Sequence, residues 1–316
     1  MRKASTAVLV SILIAPPVLA SCPAELGEIE TAARSSSSQH TTDLVARLET
    51  QLACEPFEQE KAKALLSGQL LSEAVGLDRN LRLPAAAALV EKAASLGADW
   101  HALQLKGRLD RSRGAFERAA IAFQDAINLI ADSDAKRNDA PVSAFLNDAS
   151  PQERQNLLAE ADEARHLAAS GPRGLLVSAA TDRAGNPGGV FSAAMDRGAV
   201  GVRVPVPILF ETDSAELSRV GGEAAREIAT FLSNRRPTSI TVTGHTDHVG
   251  SAAYNLDLSA RRAARVAEFL KASGITARIT MIGKGFSEPR KLSQDAAYTA
   301  AQIDELNRRV EFAWGQ

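Results

Sequence analysis

The spacing of hydrophobic and polar positions changes near residue 200. From Glu25 to Ser170, apolar residues recur three and four positions apart in alanine-rich stretches, the spacing of amphipathic helices, and no stretch alternates as a strand does. From Val202 onward, short alternating runs separate further helical stretches. A chain of 316 residues is long enough for two domains. The pattern therefore predicts an all-α, repeat-like half over residues 21–170 and an α+β domain over residues 202–316. Residues 171–201 form a connector that is either an extra hairpin or a linker.

The clearest internal unit of the helical half lies between Trp100 and Ser133. Small and aromatic residues there have the spacing of a tetratricopeptide repeat, two antiparallel helices in close approach: Gly107, Gly114, Phe116, Ala119, Phe123 and Ala126. One good repeat is not an array, since about three are needed to bury a continuous core. Two interpretations fit this half equally well: a groove that binds a protein partner, or a helical spacer. Its last helix is predicted to start with a capping box at Ser150 and to end at Ser170.

The second domain is predicted to alternate strands and helices. The predicted strands are Val202–Leu209, Ser239–Thr243, Arg278–Ile282 and Arg308–Trp314. The predicted helices cover Ala215–Asn234, a stretch from about Ala253 to Gly274, and Asp295–Leu306. The prolines of the first strand favour an edge position. This order predicts a four-stranded mixed sheet with helices on one face.

One arginine lies on the apolar side of the helix that follows Gly250. On a helical wheel, Arg262 falls in the middle of the stripe that contains Leu258 and Val266. A buried arginine is costly unless a carboxylate or a ligand faces it. Asp247, in the preceding loop, is the nearest candidate in the sequence.

Several spaced motifs around this helix carry a family resemblance. GHTD, then NxxLSxxRA, and later NRRVEF resemble the OmpA-like C-terminal domain, the peptidoglycan-binding module of Gram-negative envelope proteins. The similarity runs from about Val202 to Trp314 and includes ILFETDSAEL and GKGFSEP in the same order. The resemblance implies a non-catalytic module that grips the diaminopimelate residue of the stem peptide.

The resemblance also assigns the site residues. The family's aspartate matches Asp247 and its arginine matches Arg262. A carboxylate can pair with the ammonium of diaminopimelate, and a guanidinium can take its carboxylate in a bidentate fork. The supporting ligand-binding positions are Thr246, Asn255, Arg308 and Asp213. The alternative is that Asp247 only caps the loop and Arg262 is part of a structural ion pair.

Two of the supporting positions have a second interpretation. Asn255 either binds the peptide or caps its helix. The position of Asp213 is often asparagine in the family, so this aspartate either borders the ligand or caps the next helix.

The N-terminus indicates export. Residues 1–20 read as a secretory signal peptide with a basic start and a short apolar run, which places the mature protein in the periplasm. The sequence around Cys22 also fits a lipobox, and a lipid there would place the protein at the outer membrane. We favour a Cys22–Cys54 disulfide that joins two antiparallel helices, because Cys54 would otherwise be an odd thiol in an oxidising compartment. These helices are expected at Glu25–Arg34 and Thr42–Ala53, with a loop over Arg34–His40.

Other functional classes have less support. The net charge of −2 gives no nucleic-acid footprint. His245, Asp247 and His248 are suitable zinc ligands by type, but His245 and Asp247 belong to the family motif, so a zinc hydrolase is disfavoured. No GxSxG elbow is present. We predict no enzyme, metal or cofactor. The competing function is a periplasmic scaffold in which the helical half binds a protein.

Overall fold

The computed structural model describes residues 22–35, 37–50, 54–135, 149–171, 204–206, 208–211, 213–293 and 298–315. The predicted signal peptide and almost all of the predicted connector lie outside these residues. No helix in these ranges is both long and apolar enough to cross a bilayer.

The N-terminal half is helical, as predicted, in every regular element that the structure describes before residue 172. The helices are α1 (Cys22–Ser35), α2 (Ser38–Glu49), α3 (Pro56–Leu77), α4 (Pro84–Ser95), α5 (Trp100–Ser112), α6 (Phe116–Ala135) and α7 (Pro151–Ser170). The predicted loop over Arg34–His40 is too long, because α1 continues to Ser35 and α2 already begins at Ser38. Ser38 explains the early start: its backbone N–H and its hydroxyl both donate to the Glu73 carboxylate of α3.

The predicted disulfide is present. Cys22 at the start of α1 is bonded to Cys54, two residues before α3, and their Cα atoms are 5.4 Å apart. Both residues are buried in the core of the helical half. The bond closes a 32-residue separation and so ties α1 and α2 to the start of α3.

Helices α5 and α6 form the predicted antiparallel pair. A Cβ added to Gly107 would come within 2.5 Å of the Phe123 ring, so only glycine allows this approach. Gly114 makes the turn between the helices with a φ of +71°. The close helix pair is thus observed, and its assignment as a tetratricopeptide repeat stays a prediction.

The C-terminal domain contains β1 (Val204–Val206), α8 (Arg219–Arg235), β2 (Ser239–Gly244), α9 (Ala252–Ala272), β3 (Arg278–Gly283), α10 (Ala300–Asn307) and β4 (Val310–Gly315). The strand order is β1-β4-β2-β3, and the sheet is mixed because β2 pairs with β3 in parallel and with β4 antiparallel. Three six-residue strands form its body. Of the expected strand Val202–Leu209, the described residues show the three of β1, at the edge beside β4.

Two other predicted boundaries are corrected, and a third is located. Helix α8 begins at Arg219 and not at Ala215, because Ser218 is the residue whose side chain caps it. Helix α10 begins at Ala300, because Thr299 supplies its capping box, and the expected start at Asp295 lies outside the described residues. Arg308 caps the C-terminus of α10 and precedes β4, so it is not part of the strand.

The domain core lies between the sheet and two helices. Side chains of α8 and α9 pack with those of β2 and β4, and the buried members include Ile228, Leu232, Val266, Leu270, Ile240, Val242 and Phe312. The end of β2 approaches α9 closely: a Cβ added to Gly244 would lie 2.2 Å from the Ser259 carbonyl oxygen. This contact fixes the position of the loop that follows β2.

Helix α7 joins the two halves of the molecule. Its residue Leu167 packs with Tyr298 and Leu306 of the C-terminal domain. The predicted capping box at Ser150 is confirmed, and so is the helix end at Ser170. The last turns of α7 also carry buried charged residues that bond to the second domain: Asp162, Glu163, Arg165 and His166.

Candidate ligand-binding site

A cavity of about 670 Å³ opens where β2 ends and α9 begins. It is lined by the segment before α8, the loop between β2 and α9, the first turns of α9, the end of α10 and the last two residues of α7. All six predicted ligand-binding residues line this one cavity: Asp213, Thr246, Asp247, Asn255, Arg262 and Arg308. The structure thus brings the six residues together, and their roles in binding stay predictions.

The loop between β2 and α9 is held from both sides. The Thr246 N–H donates to the Gly285 carbonyl at 3.0 Å. The buried Asn255 side chain donates to the Val249 carbonyl at 2.8 Å. Asn255 therefore does not cap its helix, since the Ser251 side chain does so. The result is a fixed loop that places Asp247 at the cavity.

Arg262 is buried, as its place on the apolar stripe predicts. It is 6% exposed, its Nε donates to the Ser214 carbonyl at 3.0 Å, and its guanidinium carbon lies 4.9 Å from the Phe210 ring centroid. Burial lowers the pKa of Arg262, and the nearby charge of Arg308 lowers it further. Within the described ranges, no carboxylate forms an ion pair with this guanidinium, which borders the cavity.

Asp247, the carboxylate nearest in sequence to Arg262, does not form an ion pair with it in the described part of the chain. The direct partner of Asp247 is Arg308, whose Nη1 lies 2.5 Å from the Asp247 Oδ2. Arg308 can reach Asp247 because it extends from the end of α10 and its side chain is 36% exposed, whereas Ser214 holds Arg262 in place. Asp247 is still close enough to Arg262 to oppose the lowering of its pKa.

Arg308 is shared between two carboxylates. Its Nη2 donates to Glu305, one turn earlier on α10, while its Nη1 donates to Asp247. Burial disfavours the charge of Arg308, but the bonds to Glu305 and Asp247 outweigh this and raise its pKa. Asp247 has a second bond, from the Val249 N–H to its Oδ1 at 2.9 Å.

Asp213 and Thr246 complete the predicted set. Asp213 is exposed and has a φ of +53°, a left-handed conformation that aspartate and asparagine tolerate better than most residues. It does not cap α8, because Ser218 has that role. Thr246 is buried and its hydroxyl donates to the Asp247 carbonyl at 2.9 Å.

The lining also includes residues that were not predicted as ligands, among them Phe210, Glu305, Ala169 and Ser170. The spacing of Glu305 and Arg308, three apart at a helix end, is a signal that sequence reasoning could have used. Ala169 and Ser170 belong to the other half of the chain, and no local pattern places them beside residues 39 or more positions away.

The two histidines near this loop have different surroundings. The buried His245 lies 3.5 Å from Glu311, while the exposed His248 lies 2.8 Å from Asp304. Burial opposes the ionisation of Glu311, but contacts with His245 and Arg309 outweigh it and lower its pKa to about 2. In the described part of the chain, the grouping with metal-ligand spacing is Cys22, Cys54 and Glu58, and its two sulfurs form the disulfide.

Comparison with known proteins supports the resemblance. Residues 209–302 match the OmpA family. The chain is 37% identical over 111 residues to outer membrane porin F of Pseudomonas fluorescens, covering 35% of this chain and 32% of that protein. It is 40% identical over 111 residues to outer membrane protein A of Klebsiella pneumoniae, covering 33% and 32%. The chain thus spans about a third of the length of these curated relatives.

Among solved structures, one similar chain is described as the cell wall anchor of the T6SS from Pseudomonas aeruginosa. It is 29% identical, covers 36% of this chain and 80% of that one, and has a TM-score of 0.29. The match of residues 209–302 to the OmpA family confirms the predicted resemblance for this part of the chain.

Proposed function

We propose that this chain is a non-catalytic envelope protein that binds peptidoglycan non-covalently, through the diaminopimelate of the stem peptide, in the cavity around Asp247 and Arg262. The observation that carries the proposal is the state of Arg262. Its guanidinium is buried and borders a cavity, and among the described residues it forms no ion pair with a carboxylate. An uncompensated buried charge is costly, so a carboxylate from a ligand is the expected partner.

The charges around the cavity match the free end of diaminopimelate. That end carries an ammonium and a carboxylate on one carbon. Arg262 takes the carboxylate, with Nη atoms that its bond to Ser214 through Nε leaves available. Asp247 takes the ammonium, and Asp213 adds a second negative charge at the rim. Arg308 lies within reach of the same ligand carboxylate, while Thr246 and Asn255 hold the loop.

The relatives and the disulfide support a periplasmic location at the cell wall. The match to the OmpA family includes both Asp247 and Arg262, and the relatives carry outer-membrane and cell-wall names. A disulfide fits an oxidising compartment. The sulfur of Cys22 that a lipid anchor would need is used in that disulfide, which favours a periplasmic protein over a lipid-anchored one at the outer membrane.

The helical half has a separate candidate role as an interaction scaffold. Helices α1 and α3 border an open groove of about 730 Å³, lined by charged and apolar residues that include Glu30, Arg34, Lys61, Leu65 and Glu73. Such a groove is suited to binding a protein partner. The C-terminal domain would then tether that partner to the cell wall. If the scaffold role dominates, the partner will bind equally well to variants that no longer bind peptidoglycan.

The test combines sedimentation and calorimetry. The mature protein is mixed with purified diaminopimelate-type peptidoglycan and pelleted, and its affinity for free meso-diaminopimelate is measured by titration calorimetry. We expect Arg262→Ala and Asp247→Ala each to lose at least about 30-fold in affinity, the usual cost of removing one partner of a buried charge pair.

The matched control is Arg261→Ala. Arg261 is the neighbouring residue on α9, but its side chain is 49% exposed and pairs with Asp257. This variant should pellet as the wild type does. Retention of binding by both Arg262→Ala and Asp247→Ala would remove the site assignment, and a wild type that neither pellets nor binds meso-diaminopimelate would remove the function.

A further inference from the structure

The helical half contributes directly to the candidate site. Ala169 and Ser170, the last residues of α7, line the cavity together with Glu305 and Arg308. These two residues lie outside the part of the chain that matches the OmpA family. The cavity is therefore built by both halves of the molecule.

A continuous series of polar contacts runs from α7 to the cavity. His166 is 1% exposed, and its Nε2 lies 3.7 Å from the Glu305 Oε1. The Ser170 hydroxyl donates to the His166 carbonyl at 2.8 Å, and Ser170 lines the cavity with Glu305, where it helps to lower the pKa of that carboxyl. Glu305 bonds Arg308 through its other oxygen, and Arg308 bonds Asp247. In the proposed function, Asp247 binds the ammonium of the ligand.

The Asp247 carboxylate, which the proposed function assigns to the ligand's ammonium, is therefore already paired with Arg308. Glu305 competes with Asp247 for that arginine, because Arg308 donates one Nη to each. Burial opposes the ionisation of Glu305, but the contacts with His166, Ser170 and Arg308 outweigh it and lower its pKa to about 2, so it is negatively charged at neutral pH.

We propose that Glu305 is a positioning residue: by holding Arg308, it leaves Asp247 available to the ligand's ammonium, and α7 of the helical half fixes Glu305 for this role through His166 and Ser170. The inference rests on the proposed function and deepens it. The helical half thus helps to determine which charged groups the cavity binds, in addition to binding a protein partner or acting as a spacer.

The sign of the effect follows from electrostatics. Removing the charge of Glu305 leaves Arg308 with a single carboxylate partner, so its bond to Asp247 strengthens and a ligand ammonium must displace it. The cavity also becomes more positive by one charge, which favours a ligand that carries only carboxylates. The two changes act in opposite directions on two kinds of ligand.

The first experiment uses Glu305→Gln in the full chain and two ligands. Titration calorimetry compares meso-diaminopimelate with pimelate, which has the same seven-carbon dicarboxylate skeleton and no amino groups. We expect the variant to bind meso-diaminopimelate about 10-fold more weakly, and pimelate as well as the wild type or better. Asp304→Asn is the matched control, since Asp304 neighbours Glu305 on α10 but pairs with His248, and it should change neither affinity.

The outcomes separate the two proposals. Equal weakening of both ligands by Glu305→Gln would indicate local misfolding of the site and would overturn the positioning role, as would no change for either ligand. A wild type that fails to bind meso-diaminopimelate refutes the proposed function itself. Normal wild-type binding without a selective loss of meso-diaminopimelate affinity in Glu305→Gln refutes only this inference.

The second experiment tests the contribution of α7. His166→Gln and Ser170→Ala are each measured alone and combined with Glu305→Gln. Each single change is expected to weaken meso-diaminopimelate binding about threefold, and the loss should vanish in the Glu305→Gln background, because both side chains act through that carboxylate. Additive losses would show that α7 affects the site by another route and would overturn its role. Ser170→Ala keeps the test valid if His166→Gln unfolds.

Discussion

Two buried arginines of this protein differ in what surrounds them. Arg165 on α7 is 1% exposed and lies 3.6 Å from Glu227 of the C-terminal domain, with the charge of Asp162 also near. Arg262 on α9 is 6% exposed and contacts a carbonyl and an aromatic ring. Burial lowers the pKa of both. Arg165 is paired with a carboxylate at the interface between the domains, whereas Arg262 borders the cavity.

The difference shows how a structural charge can be distinguished from a binding charge. Taking an arginine out of water costs several kcal/mol, and a nearby carboxylate offsets this cost. At the domain interface the chain supplies the carboxylates itself. At the cavity, Asp247 pairs with Arg308, and no carboxylate among the described residues forms an ion pair with Arg262. Arg262 is therefore held in position with its charge available to a ligand.

The largest effect is expected at the interface, for Glu163→Ala. Glu163 is fully buried and accepts hydrogen bonds from the Ser293 N–H, the Ser293 hydroxyl and the Tyr298 hydroxyl. Its removal leaves these donors buried without their acceptor, so the free energy of unfolding should fall by about 3–5 kcal/mol. Urea unfolding measures this. A loss below about 1 kcal/mol would show that water replaces the carboxylate, and that the interface is more open than its burial implies.

The next prediction tests the two arginines as a matched pair. Arg165→Met should lower the free energy of unfolding by about 3 kcal/mol, because it leaves interface carboxylates without their counter-charge. Arg262→Met should change it by less than about 1 kcal/mol while abolishing ligand binding, since it removes a buried charge that has no internal ion pair among the described residues. Equal destabilisation by both changes would contradict the distinction. Circular dichroism and calorimetry with meso-diaminopimelate provide the two measurements.

The sequence predicts the fold best where the signal is local. Periodicity locates the helices, and the capping residue Ser150 locates the start of α7 correctly. The start of α8 was predicted four residues too early because Asp213 also fits a capping role, whereas the Ser218 side chain caps the helix and Gly221 closely approaches the Leu209 backbone. The early start of α2 depends on Glu73 of another helix, which no local pattern contains.

The site shows the same limit. The apolar stripe of α9 and the family motif together identify Arg262 and Asp247, and both line the cavity. The sequence did not identify the direct partner of Asp247, because Arg308 comes from a helix end that is distant in sequence. The contribution of α7 was not anticipated at all. It depends on how two domains pack, which involves side chains such as Leu167 and Tyr298 that carry no signal of their own.

The free energy of unfolding is also expected to depend on pH through Glu305. This residue belongs to both regions, since it is bonded to Arg308 at the cavity and lies close to His166 at the interface. Its pKa is lowered from 4.5 to about 2 in the folded protein. A carboxyl with a depressed folded pKa stabilises the fold above its unfolded pKa, and this contribution is lost as the pH falls from about 4.5 to about 2. This difference in pKa corresponds to a loss of up to about 3 kcal/mol.

Unfolding by urea at several pH values between 7 and 2 tests this. The decrease should be smaller in Glu305→Gln than in the wild type, because glutamine has no proton to gain. Glu311, whose pKa is also about 2, supplies an independent comparison through Glu311→Gln. If Glu305→Gln shows the full wild-type decrease, the carboxyl is not held in its ionised form by these contacts.

The smallest expected effect concerns the aromatic ring beneath Arg262. Phe210 lies under the guanidinium at 4.9 Å, and a cation over an aromatic ring gains about 0.5–2 kcal/mol without using a carboxylate. This contact offsets part of the burial cost while leaving the charge of Arg262 available to a ligand. Phe210→Leu should therefore weaken meso-diaminopimelate binding by about threefold to tenfold, and Phe210→Tyr should not. If leucine and phenylalanine bind the ligand equally, the Ser214 carbonyl alone holds the arginine, and the ring serves only the domain core.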